Sequence, residues 1–65
     1  MSEYVHLDFK TIHKETDKAL LVELEDERRF WIPLSQIADS DDYREGDTDG
    51  TISVTTWFAH KEGLE

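Results

Sequence analysis

The stretch "YVHLDFKTI", residues 4 to 12, alternates apolar and polar side chains, and this period of two constrains the fold more than anything else in the chain. Val5, Leu7 and Phe9 fall on one side, and Tyr4, His6, Asp8 and Lys10 on the other, as in a strand with one buried face. The pattern then recurs. "ALLVELE" sets Leu20, Val22 and Leu24 against Leu21, Glu23 and Glu25, and "RFWIPL" sets Phe30 and Ile32 against Trp31. "TISV" resumes it through Ile52 and Val54, so strands are expected at about 4–12, 19–25, 29–33 and 51–54. The polar run "HKETDK" separates the first two, and "DERR" turns the second into the third as an antiparallel hairpin. Pro33 has no N–H to give a ladder, so the third strand ends there or runs along an edge.

After Pro33, "LSQIA" has the makings of one helical turn, with Ser35 as cap and Leu34 and Ile37 turned inward. "TTWFAHKEG" predicts a helix over about 55–62, capped by Thr55 or Thr56, stopped at Gly63 and anchored by Trp57 or Phe58. A chain of 65 residues buries only about 60% of its unfolded surface, so so small a sheet must curl or rest on that helix. The expected fold is a single small α+β domain over 1–65, mostly β. It is a twisted antiparallel sheet of three to four strands, an SH3-like or OB-like partial barrel, with a short C-terminal helix.

The absence of cysteine excludes disulfides, thiolate zinc sites and thiol catalysis, and suits a reducing cytoplasm. No apolar run approaches the roughly 20 residues that span a bilayer, and "MSEYVHLDFK" lacks a signal-peptide core; a soluble chain without membrane attachment is expected. Sixteen acids against seven bases leave a net charge of −9. Such a surface repels phosphates, which argues against direct nucleic-acid binding and for a basic protein partner. The acids gather in two places: Glu23, Glu25, Asp26 and Glu27 around the hairpin, and Asp39, Asp41, Asp42, Glu45, Asp47 and Asp49 in an acidic loop over 39–50. Charge runs of this kind are solvated faces or partner-binding surfaces; in the second case carboxylates spaced like phosphates would fill a basic groove.

Inside that loop, "EGDTDGTI" has the beginnings of a calcium loop, with Glu45, Asp47 and Asp49 at alternate positions before Gly50. The closing glutamate is missing, because Thr56 stands at the twelfth position. A tight turn at Asp49-Gly50, leading into the last strand, explains the same residues with less. His6, His13 and His60 lie on separate elements without metal-ligand spacing, and neither a Ser-His-Asp order nor a phosphate loop is present. No cofactor is implied, and a catalytic role is not expected. Tyr4 and Trp31, with Leu21, form either an aromatic patch rimmed by Glu23 and Glu25 or, if the sheet curls or the helix covers them, part of the core.

The segments "KALLVELEDERRFWIPLSQI" (18 to 37) and "ISVTTWFAHKEGL" (52 to 64) resemble a group of short proteins of bacteria and their phages or prophages. The shared pattern is K-A-(L/I)-L-V-E, then W-(I/V)-P-x-S-Q-I, then a W-(L/F)-A-x-K-x-G-L tail, over about half of the chain. The resemblance implies a mobile-element context and carries over no catalytic residue. The acidic segment between the two blocks is this chain's own elaboration. Together these features point to a non-enzymatic interaction module, an accessory factor or inhibitor that acts by nucleic-acid mimicry. A homodimer pairing through the Trp31 face or a strand edge is the alternative, and a calcium-responsive module the third.

Overall fold

The computed structural model describes residues 3–64. Four strands, β1 (Tyr4–Glu15), β2 (Ala19–Leu24), β3 (Arg29–Pro33) and β4 (Thr48–Thr55), precede the helix α1 (Thr56–Lys61). All pairings are antiparallel, in the order β3-β2-β1-β4. The long first strand serves both neighbours. From Tyr4 to Thr11 it pairs with β4, and from Phe9 to Glu15 with β2. After β3 the chain makes a 3₁₀ turn over Leu34–Gln36, and Ile37 then bridges Val54 on the far side of β4. Ala38 N–H donates to Ser53 O at 2.9 Å beside that bridge. The sheet stays open between β3 and β4 except for this bridge, which makes it a partial barrel.

The inward sets read from the alternation form the core. Leu20, Val22 and Leu24, Ile32, and Ile52 and Val54 are buried, and Phe58 and Ala59 close one end. β1 reaches Glu15 rather than stopping at 12, because its register against β2 slips between Phe9 and Thr11 and again between Ile12 and Lys14. A slip of one residue exchanges the faces of a strand. Phe9 and Ile12 therefore both point inward although three positions apart, and half of the "HKETDK" break belongs to the strand.

β4 starts at Thr48, three residues before its expected position, so Asp49 and Gly50 lie inside the strand and are not its entry turn. The positive φ sits on Asp49, at 53°. Gly50 is needed for a different reason: a Cβ there would lie 2.7 Å from Phe9 Cζ. The tight turn is Arg44 to Asp47, where Asp47 N–H donates to Arg44 O at 3.1 Å and Gly46 has φ 95°. It is stitched to β1 by Gly46 N–H to Ile12 O and Ile12 N–H to Asp47 O, both 2.8 Å.

The helix begins at Thr56, with Thr55 as its cap: the Thr55 hydroxyl accepts from Phe58 N–H at 3.1 Å. It ends at Lys61, just short of the expected 62, and Gly63 follows at φ 70°. Phe58 is its anchor. Trp57 is 62% exposed and anchors nothing. At about 100° per residue, burying Phe58 and Ala59 together turns the residue before them outward.

Candidate interaction surface

The two acidic groups have different fates. In the hairpin, the bulged stretch of β1 carries His13 beside β2, and Glu23 Oε1 lies 2.6 Å from His13 Nε2. Arg29 Nε on β3 approaches the same oxygen at 3.4 Å. The His13 hydrogen bond holds the Glu23 carboxyl below its ordinary range; partial desolvation opposes this, and the Arg29 charge adds to it. Asp26 accepts from the Arg28 backbone N–H at 3.1 Å and from Arg28 Nε at 2.6 Å, which lowers it too. Glu27 lies 3.8 Å from Lys10 Nζ. Three of the four hairpin acids are therefore engaged within the molecule, and Glu25 stands in the turn after β2.

The Glu23 cluster fixes the sign of an acid effect. A carboxyl whose folded pKa is depressed contributes stability above its unfolded value, here 4.5, and loses it as the pH falls through the folded one. Melting followed from neutral pH into the acid should show wild type losing more than Glu23→Gln over that window. Equal losses in the two proteins would show that the His13–Glu23–Arg29 cluster contributes nothing.

The segment after Ile37 is ordered by contacts of its own. Ser40–Asp42 forms a second 3₁₀ turn. The Tyr43 ring meets Phe9 edge-on, with centroids 6.2 Å apart and planes at 76°, and its hydroxyl donates to Thr51 O at 3.2 Å. Glu45 and Glu15 exchange backbone bonds, the N–H of each donating to a carboxylate oxygen of the other at 3.1 Å. Asp47 Oδ2 accepts from Arg44 N–H at 2.9 Å. Glu45 and Asp47 are thus turned onto amides. Asp39, Asp41, Asp42 and Asp49 are exposed, and their side chains have no hydrogen-bond or ion-pair partner among the described residues. No three potential ligands, Glu45, Asp47 and Asp49 included, form a group able to hold a metal among the described residues.

The expected aromatic face is divided. Trp31, 52% exposed, stands opposite Leu21 on β2, which stands opposite Lys14 on β1. Tyr4 lies at the other end of β1, across from Thr55, and does not join them. The rim of the Trp31 patch is also not the expected Glu23 and Glu25. It is Lys14, Glu23 and Arg29, because Glu25 has left the strand. Sequence reasoning missed Trp57, whose ring carries the Lys61 ammonium at 5.0 Å; the four-residue spacing of the two on a helix was the signal for that contact. It also treated the histidines as separate, whereas His6 and His13 share β1, and His6 Nδ1 lies 2.6 Å from Ser53 Oγ.

No helix among the described residues is long and apolar enough to cross a membrane. No family model matches the chain, and neither a curated protein nor a solved structure matches it.

Proposed function

We propose that this domain is a non-enzymatic interaction module that binds a basic protein surface through Asp39, Asp41, Asp42 and Asp49. One observation carries the reading: the hairpin acids are mostly engaged internally, whereas these four are unpartnered on a segment whose backbone is pinned at both ends. Pinning matters because a partner then need not order the segment, which removes part of the entropic cost of binding. Carboxylates held in this way stand in for the phosphates of a nucleic acid, and an accessory factor or inhibitor from a mobile element fits the resemblance noted above. A cysteine-free chain suits a reducing cytoplasm as the place of action.

The test replaces all four with asparagine, which tolerates the left-handed backbone at Asp39 (φ 54°) and Asp49 (φ 53°). Each exposed charge contributes about 0.2–1 kcal/mol to such an interface, so the fourfold variant should bind the partner about fourfold to several-hundredfold more weakly with its melting unchanged. Proteins captured from the host at low salt should be basic, lost at high salt and absent with the variant. Equal capture by both proteins, or retention in high salt, would sink the proposal.

A further inference from the structure

The hydrogen-bond phase of the β2–β3 hairpin shows which backbone groups of β3 are unused. Leu24 N–H donates to Arg28 O and Leu34 N–H to Lys18 O, each at 2.8 Å. In an antiparallel pair, bonded and non-bonded positions alternate. Val22–Phe30 and Leu20–Ile32 are therefore the bonded pairs between those two ends, and Glu23–Arg29, Leu21–Trp31 and Ala19–Pro33 the non-bonded ones. The N–H and C=O of Arg29 and Trp31, and the C=O of Pro33, point away from β2. Among the described residues no strand lies on that side. The opposite edge of the sheet is different, since Ile37 and Ala38 bridge β4 and the Tyr43 hydroxyl bonds Thr51 O.

We infer that the β3 edge is a self-pairing surface, on which a second copy of this chain adds its own β3 antiparallel, with Trp31 opposite Trp31. Three features of the edge select a copy as its occupant. The first is register. About a two-fold axis at Trp31, each Trp31 donates to and accepts from the other, and each Arg29 N–H meets the C=O of the second copy's Pro33. The N–H that Pro33 lacks leaves only the Arg29 carbonyl unpaired, at the end of the ladder where water reaches it. The second is charge. β3 is the one strand with no acid in a chain of net charge −9, so two copies meet here with the least repulsion. The self-register also sets Arg29 against proline, not against another arginine, and diagonal to the facing Trp31 ring. The third is apolar surface. Trp31 and Leu21 are cross-strand neighbours on the outer face, and pairing joins two such patches into one stripe.

Sedimentation over a concentration series from micromolar to millimolar should show a monomer–dimer equilibrium. The dimer should strengthen with salt, as the like net charges are screened, which is opposite to the salt response of the acidic surface. Amide exchange gives the site-specific signature. Phe30 and Ile32 should be protected at every concentration, and Arg29 and Trp31 only where the dimer forms. Trp31→Lys should remain monomeric throughout, with near wild-type melting because the side chain is exposed. A monomer persisting to millimolar concentration overturns the inference. So does a dimer in which the Arg29 and Trp31 amides exchange freely, since that dimer would use another surface.

Discussion

Gly50→Ala should destabilise the domain by about 1–3 kcal/mol, the cost of forcing an extra methyl into a packed site. The added carbon would sit 2.7 Å from Phe9 Cζ and 2.9 Å from Cε2, closer than such atoms approach. The ring cannot yield easily, because Phe9 is buried in the core and Tyr43 meets it from the side. For a domain of this size each kcal/mol lowers the melting temperature by about 4–8 °C, so thermal or urea unfolding will resolve the effect. Phe9→Leu in the alanine background should recover part of the loss, since the shorter side chain vacates the place the methyl needs. A double-mutant cycle with no coupling between the two positions would show that the contact is not the cause.

Tyr43→Ala should cost about 2–3 kcal/mol, and its more informative effect is on binding. The substitution removes an aromatic edge contact of about 0.5–1.5 kcal/mol and a hydrogen bond of about 0.5–1.5 kcal/mol, along with part of a half-buried ring. It also frees the segment between Asp39 and Arg44 from Phe9 and from β4. Partner affinity should fall although every carboxylate is still present, because ordering the segment would then be charged to binding. Tyr43→Phe keeps the ring contact and loses only the bond to Thr51 O, so its effects on stability and binding should be smaller than those of the alanine variant. Undiminished partner binding by the alanine variant, measured below its melting transition, would mean that the segment need not be pinned.

The strands were legible because one face of each is buried, and alternation is the direct record of that. Leu20, Val22 and Leu24 behaved as the period of two requires. Where the reading failed, a distant neighbour had overruled a local signal. Asp49-Gly50 is a turn dipeptide by local chemistry, yet the glycine answers to Phe9, far away in the chain, and Gly46 makes the turn. The bulges in β1 insert residues without changing composition, so alternation could not reveal that Ile12 follows Phe9 into the core. The same slip sets His13 against Glu23 and so separates engaged acids from free ones, a distinction invisible in a count of charges. Trp57 and Phe58 were equivalent until packing against β1 and β4 chose between them.

The double service of β1 constrains how the protein can be made. Its end from Tyr4 to Leu7 has no sheet partner until Ile52 to Thr55 arrive, and Thr56 N–H reaches back to Glu3 O at 2.9 Å. During folding β1 must wait, half-paired, for β4. A hairpin of β2 and β3 can form early, but the core closes only once β4 and α1 are available, so folding depends on contacts of long sequence separation.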